Sequence, residues 1–410
     1  MSGKGSNSAK LRQYNERFVL QALRQLREGS KSDLARMAHL TPAAVAGIVD
    51  GLEKAGFVKQ VGKRLGLRGS PSVLYRPNAN RLYSIGLKIG RRALQAVLLD
   101  FAGEVCASIE RDYDFPDPAV VRRAGNAAIA EFSAQVARTE GATLAGLGIA
   151  APYYLGGWSE ELELPQGLGA LWQEIDLKIF FKTDPGLLVC VENDATAAAH
   201  AELALGQGSR FRDFMHISID SFIGGGLVLG GKVHAGPHGN SAALGPLPVS
   251  PSTLSGAAAR PARYSSLLHR ASAYVLLNHL RACGLSITRV RDLEPLPKEA
   301  RQPVQDWLDD CAAALAEAII AITSILDPEA IIIDSILPRA LHSDLVAQVQ
   351  RRFSQAAPIG IVAPQILSGT LGPQASAMGA ASLPISALLA PDSSILMLGD
   401  EAGGLAGRLS

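Results

Sequence analysis

The sequence predicts an α/β protein in two parts, a small N-terminal winged helix-turn-helix followed by a larger body of mixed sheets and helices. Three observations lead there: apolar residues at helical steps between capping residues near the start, a basic hairpin after them, and β-rich runs alternating with helical runs from residue 82 onward. Charge divides the chain at the same place. Residues 1–80 hold fourteen Lys/Arg against five Asp/Glu, whereas residues 81–410 hold twenty-five against thirty-three, inside a formal net charge of +1. A head that basic is drawn to polyanions, because each phosphate it neutralises releases condensed counterions, while the acidic body is repelled by them. Nucleic acid is therefore the leading partner of the head.

The 410 residues, 48% hydrophobic and 19% charged, suffice for two or three buried cores. The opening MSGKGSNSAKLRQYNERF has no apolar h-region, and no apolar run reaches the roughly 18 residues of a membrane span, so a cytoplasmic protein with no membrane partner is expected. Cys106, Cys190, Cys283 and Cys311 lie far apart among apolar residues and are expected as reduced, buried core residues.

In the head, Phe18, Val19, Ala22, Leu23 and Leu26 form the stripe of a first helix that ends before Gly29. Ser30 or Ser32 can cap a second short helix over 33–38, and Thr41 caps a third with Pro42 at its first position, where the missing N–H costs nothing. Val45, Ile48, Val49 and Leu52 of that third helix face inward, leaving Thr41, Ala43, Ala44, Gly47 and Asp50 outward. A short helix, a turn and a capped second helix make a helix-turn-helix, whose second helix enters the major groove by its N-terminal end. A strand over 57–61, a basic loop over 62–71 and a returning strand over 72–76 complete a wing. Lys63, Arg64 and Arg68 are expected on the loop tip, where they can reach a narrow minor groove. The candidate DNA contacts are Ser32, Thr41, Pro42, Ala43, Ala44, Gly47, Lys63, Arg64, Arg68 and Ser70. A small protein-docking adaptor is the competing reading of three such helices, and it has no need of so basic a wing.

The boundary is expected at 77–80, giving a head over 1–78, a body over 79–390 and a loose tail over 391–410. In the body, β-rich runs over 82–90, 93–100 and 104–107 read as an antiparallel meander. A helix over 118–140, a strand over 144–150, a strand over 187–192 and a helix over 195–206 follow. A hairpin over 214–219 and 225–229, helices over 267–283 and 304–326, a strand over 330–333 and an Ala-rich helix over 375–389, broken or kinked at Pro384, complete two similar halves.

The order of motifs resembles the ROK family (repressor, open reading frame, kinase) over nearly the whole chain. Gly86-Leu87-Lys88-Ile89-Gly90 stands where that family has its first phosphate motif, and Val191-Glu192-Asn193-Asp194-Ala195 matches its sugar-site signature. Ile223-Gly224-Gly225-Gly226 ends its second glycine-rich motif, and Asp327-Pro328 with the apolar run through Ile333 resembles the strand before its adenosine motif. Leu371-Gly372 and Met378-Gly379-Ala380-Ala381 match its closing helix. The resemblance implies a two-lobed, actin-like and sugar-kinase-like (ribonuclease H-like) body.

It also implies lost chemistry. The Asp that would position Mg²⁺ and phosphates is Lys88, the Gly-Thr after the motif is Arg91-Arg92, the Gly-Thr-Gly of the second motif is Asp220-Ser221-Phe222, and the Gly-Gly of the adenosine motif is Asp334-Ser335. The family's zinc ligands are missing too: Ala243 and Pro246 replace its Glu and His, and residues 251–272 contain no cysteine, although His234, His238 and His269 lie nearby. Apolar packing around Leu254 and over 264–268 is expected to supply that order instead. No catalytic residue, metal or cofactor is expected. Asn193 and Asp194 remain for binding hydroxyls, with Asp194 open as a ligand contact or as the cap of the following helix. Tyr153 replaces the Gly usual after Pro152, and Ala243 and Leu268 stand near the family's two other sugar carboxylates. The candidate ligand residues are Asn193, Asp194, Pro152, His238 and Asn240.

These readings converge on a transcriptional repressor with an inactive kinase-like body that senses a small-molecule effector, a sugar being the candidate class. A homodimer or dimer of dimers would read double-stranded DNA at a pseudo-palindromic operator, its half-sites separated by whole turns of about 10 bp. A bifunctional sugar kinase and a ligand-free interaction scaffold are the alternatives.

Overall fold

A computed structural model describes residues 8–64, 71–157, 165–252, 254, 264–356 and 359–389. Helix α1 (Ser8–Leu26) packs by Val19, Leu20, Ala22 and Leu23, all buried. Strand β1 (Gly29–Ser30) leads into α2 (Lys31–Ala38), which Ser30 rather than Ser32 caps: its Oγ accepts from the Asp33 N–H at 3.2 Å, while the Asp33 carboxylate accepts from the Ser30 N–H at 3.0 Å. Thr41 Oγ1 accepts from the Ala44 N–H at 3.3 Å and opens α3 (Pro42–Lys54), whose buried residues are the predicted Val45, Ile48, Val49 and Leu52. The wing differs from expectation in two ways. Strand β2 (Val58–Arg64) runs on past Val61, so Lys63 and Arg64 belong to the ladder opposite Val73 and Ser72 of β3 (Ser72–Pro77) rather than to the loop tip. A register shift between Gln60 and Gly62 absorbs the irregularity that reads as a turn in the sequence. In addition, β1 pairs with β3, so the wing sheet has the order β1-β3-β2. Arg68, Ser70 and the tail over 391–410 lie outside the described residues.

The body consists of two lobes built on one plan. The first contains β4 (Leu82–Ile89), β5 (Ala93–Asp100), β6 (Val105–Asp112), α4 (Pro118–Ala137), β7 (Thr143–Ala151), α5 (Leu168–Gln173), α6 (Leu177–Phe180), β8 (Val189–Asn193) and α7 (Asp194–Leu205). The second contains β9 (Phe214–Ile219), β10 (Ile223–Leu229), β11 (Lys232–His234), a small pair β12 (Pro248–Val249) and β13 (Ser265–Ser266), α8 (Ala273–Ala282), α9 (Arg301–Leu326), β14 (Ala330–Ser335), α10 (Arg339–Ala356), β15 (Gln365–Ser368) and α11 (Ala375–Leu389). The main sheets have the orders β6-β5-β4-β7-β8 and β11-β10-β9-β14-β15. In each, the first three strands form an antiparallel meander and the last two join in parallel.

The final helices change sides. Helix α11, which follows the second sheet, packs on β4 and β7 of the first, whereas α7, which follows the first sheet, packs on β9 and β10 of the second. Glycines permit this close approach: a Cβ at Gly148 would lie 1.8 Å from the Ala380 carbonyl oxygen, and one at Gly379 would lie 1.7 Å from that of Ala197. Gly224 and Gly226 likewise face Ala195 and Ala199 of α7, so the glycine run that suggests a phosphate contact also serves helix packing. On the outer faces, α4 covers the first sheet, while α8, α9 and α10 share a core with the second.

Between head and body the chain makes a single 3₁₀ turn, Ala79–Arg81, and the two share one apolar cluster: Leu23, Phe57 and Tyr75 with Leu82, Phe101, Ile385 and Leu389. Arg24 Nε donates to the Phe101 carbonyl at 3.1 Å, Arg81 Nε donates to that of Ala55 at 3.2 Å, and the Phe57 and Phe101 rings meet edge to face at 5.8 Å.

Three expectations about the body need correction. Of the four cysteines, only Cys311 is buried; Cys106 and Cys283 are exposed and Cys190 is intermediate, because β6 is an edge strand and Cys283 stands at the end of α8. Helix α8 begins at Ala273 rather than 267, since Leu267–His269 forms a separate 3₁₀ turn and Arg270 leaves helical geometry. Finally, α11 continues through Pro384 to Leu389, with the proline ring seated against Gly146, which has no Cβ to exclude it.

Candidate nucleic-acid interface and lobe cleft

At the head, Ser32, Thr41, Pro42, Ala43, Ala44, Gly47, Lys63 and Arg64 are all exposed. The first half of α3 thus offers a face of small side chains, and a Cβ at Gly47 would meet nothing within 4 Å. Arg64 is not idle. Its guanidinium bonds Asp33 at 3.0 Å, so the wing is tied to the start of α2, where the Ser30 N–H, working against burial, holds the Asp33 carboxyl below its usual range. Lys31, a residue the sequence reading missed, pairs with Asp50 at 2.6 Å and lies over the Tyr75 ring at 5.6 Å. It neutralises the carboxylate on the outward face of α3. Exposed pairs of this kind are worth about 0–1 kcal/mol each, little enough for a phosphate to displace one partner.

In the first lobe, the parallel register sets Lys88 of β4 beside Ala150 of β7, Ala150 beside Glu192 of β8, and Ala151 beside Asn193. The carboxyl ends of three parallel strands therefore bring Lys88, Pro152, Asn193 and Asp194 to one edge, where ligands bind in open α/β sheets. The cap of α7 is Asn193, not Asp194: Asn193 Oδ1 accepts from the N–H groups of Ala195 and Thr196 at 3.0 and 3.1 Å. Asp194 is the first residue of the helix, with Oδ1 on the Ala195 N–H at 2.9 Å. Burial raises its pKa, and the charges of Lys88 and Arg91 only partly oppose this. His238 and Asn240 are exposed on the segment after β11, and among the described residues no hydrogen bond ties either to Asn193 or Asp194.

The substituted kinase positions hold one another. The ammonium of Lys88 donates to Asp220 Oδ2 across the lobes, and the Arg91 guanidinium lies over the Phe222 ring at 4.4 Å. Lys88 is 6% exposed; burial works against its charge, but Asp220 and Asp194 outweigh burial and raise its pKa. Deeper in the second lobe, Asp334 bonds His216 Nε2 at 3.1 Å and accepts from the Gly372 N–H at 3.3 Å, while Ser335 Oγ bonds His342 Nδ1 at 2.9 Å. Its carboxyl group fills the space beside Gly369, where an added Cβ would come within 2.2 Å of it.

In the segment around the absent zinc ligands, Leu267 and Leu268 are buried and Leu254 packs against the same core, as expected, and polar contacts fasten it further. Tyr264 is exposed, and the fastening comes from Arg270, which bonds the buried Asp310 and the Ser250 carbonyl, while Ser250 N–H donates to Glu317 at 2.7 Å and Ser252 Oγ to Asp310 at 3.0 Å. His234 and His238 are exposed and His269 bonds Ser266; among the described residues no group of three or more His, Cys, Asp or Glu is placed to hold a metal ion. No helix of the described residues is long and apolar enough to cross a membrane.

Comparison with known proteins agrees with this layout. Residues 14–61 match the MarR family, over the helices and the start of the wing. The chain is 26% identical over 372 residues to the uncharacterized protein y4fQ of Sinorhizobium fredii, covering 90% of both chains. It is 23% identical over 239 residues to the xylose repressor of Bacillus subtilis, covering 58% of this chain and 61% of that one. The crystal structure of a ROK family transcriptional regulator, a homologue of the E. coli MLC protein, superposes with a TM-score of 0.64 at 20% identity, covering 97% of this chain and all of the other, and so shares the fold. The profile of the ROK family itself matches residues 84–387, from the third residue of the first meander strand almost to the end of α11, and the chain belongs to that family.

Proposed function

We propose that the chain is a sugar-responsive DNA-binding transcriptional repressor acting in the cytoplasm, with a head over 1–78, an effector-binding and dimerising body over 79–390, and a tail over 391–410. The observation that carries this reading is the open N-terminal half of α3, from Thr41 to Gly47, beside the exposed Lys63 and Arg64 of the wing. The MarR-family match over 14–61 and the similarity to a xylose repressor support it. Two copies would read a pseudo-palindromic operator, and a sugar at the edge formed by Pro152, Asn193 and Asp194 would alter the spacing of the two heads, a coupling of about 1–3 kcal/mol. Selection of genomic DNA fragments by the full chain, followed by binding titrations from low to high salt, tests the reading. Enrichment of a two-fold-related site is expected, and duplex binding no tighter at low salt than at high salt overturns it.

The same reading has the body inactive as a kinase. Lys88, Asp220 and Asp334 support this, since an ammonium and two carboxylates stand where metal, phosphate and adenosine contacts are needed. A sugar-phosphorylation assay with Mg·ATP should give no product; turnover would instead establish the bifunctional kinase.

A further inference from the structure

Two turns face each other across the lobes, and each is pinned by its own lobe. The β4–β5 turn is held by the Tyr113 hydroxyl, which donates to the Gly90 carbonyl at 2.6 Å, and by Arg92, which donates to the Asp114 carbonyl. The β9–β10 turn is held by the start of α8: the N–H groups of Ala273 and Tyr274 donate to the carbonyls of Asp220 and Ser221 at 3.0 and 3.1 Å, and Ser272 Oγ accepts from the Ile223 N–H at 3.1 Å. The first N–H groups of α8, which a bound anion could otherwise use, are thereby satisfied from within the protein. Between the pinned turns run two contacts, the Lys88–Asp220 ion pair and the Arg91 guanidinium on Phe222. Lys88 and Arg91 come from the first lobe, Asp220 and Phe222 from the second.

We propose that Lys88–Asp220, seconded by Arg91–Phe222, is a latch that holds the lobes closed across the cleft with no ligand bound. At two positions where the resemblance implies metal and phosphate contacts, the protein supplies a cation, Lys88, and an anion, Asp220. The side chain of Lys88 is 7% exposed and that of Asp220 24%, so removing either partner leaves the other charge poorly solvated, Lys88 with only Asp194 and Asp220 with only Arg91 to offset it. The lobes also share the tightly packed, apolar α7–α11 contact and the surface ion pairs of Arg289 and Arg291 with Asp112 and Glu110 of β6, all of which remain when the latch is cut. Cutting the latch should loosen the two turns and leave the second-lobe core alone. The proposal depends neither on DNA binding nor on the identity of an effector.

Hydrogen exchange of the full chain, read peptide by peptide, tests it. In Lys88→Met and in Asp220→Asn, exchange over 88–93 and 219–223 should quicken by about tenfold while α9 stays as protected as in the wild type. Wild-type protection in both single variants overturns the latch, as does an equal rise in α9, which marks a general loss of stability. Should the single variants not fold, Lys88→Met with Asp220→Leu removes both charges together, and normal protection of the turns in that protein also overturns the proposal.

Discussion

Arg270 holds Asp310 by both ends of its guanidinium, with Nε at 3.1 Å from Oδ2 and Nη2 at 2.8 Å from Oδ1, and the side chains are only 3% and 1% exposed. A bidentate pair this deep fixes the segment before α8 to the middle of α9.

Arg270→Met should therefore destabilise the protein by about 3–5 kcal/mol, because Asp310 stays buried without its counter-ion. Arg270→Met combined with Asp310→Leu should recover much of the loss. Urea unfolding of the three proteins checks this, and a wild-type midpoint for the single change would show that the pair is not structural.

Gly47 and Gly148 should respond oppositely to alanine. At Gly47 the space is open and the residue is helical, so Gly47→Ala should raise stability by up to about 1 kcal/mol. At Gly148 the new methyl would meet the backbone of Ala380, and α11 would have to lift from the sheet, so little soluble protein should form. Thermal melts and yields from parallel expressions compare the two.

Lys63→Ala should weaken binding to duplex DNA of any sequence and lower the steepness of its salt dependence by about one ion. Arg64→Ala should add a second loss, since it also frees Asp33 beside the start of α2. Fluorescence anisotropy across a salt series reads both effects; an unchanged slope would remove Lys63 from the interface.

His200, on α7, is held neutral by burial, which lowers its pKa from 6.5 to about 4. Below pH 6.5 the unfolded chain takes up a proton that the folded chain refuses, so this contribution to stability is complete above about pH 6.5 and drains away as the pH falls towards 4. His342 is also lowered, chiefly by burial and with partial opposition from Asp334, and acts in the same direction. Urea midpoints measured from pH 7.5 down to about 4.5 should fall, and His200→Gln should flatten that fall.

Much of the head was legible because its signals are local. Thr41 with Pro42, and the stripe of Val45, Ile48, Val49 and Leu52, specify α3 within a few residues. Strand β1 has only two residues and no periodicity, so its pairing with Tyr75 and Leu74 depends on the hairpin already being formed. Helix α10 and strand β15 went unread: Leu345, Val349 and Phe353 keep helical steps but stand among many polar residues, and β15 is four residues long. The pairs that define the cleft and the staple were illegible for a different reason. Lys88 and Asp220 are 132 positions apart and Arg270 and Asp310 are 40, so the sequence presents each as a lone departure from a motif or an ordinary charge, and only the fold makes them partners. The same holds for Cys106 and Cys283, whose apolar neighbours along the chain suggest burial although an edge strand and a helix end leave both exposed.

The exchange of α7 and α11 between the lobes bears on how the chain folds as it is made. Strands β4, β5 and β7 leave the ribosome long before α11, which supplies the cover for one face of their sheet and, through Ile385 and Leu389, part of the apolar cluster shared with the head. Part of the apolar cluster shared with the head thus waits for α11. Until that helix arrives, the strip over Gly86 and Gly148 stays bare, and a ribosome stalled before residue 375 presents it to chaperones and proteases.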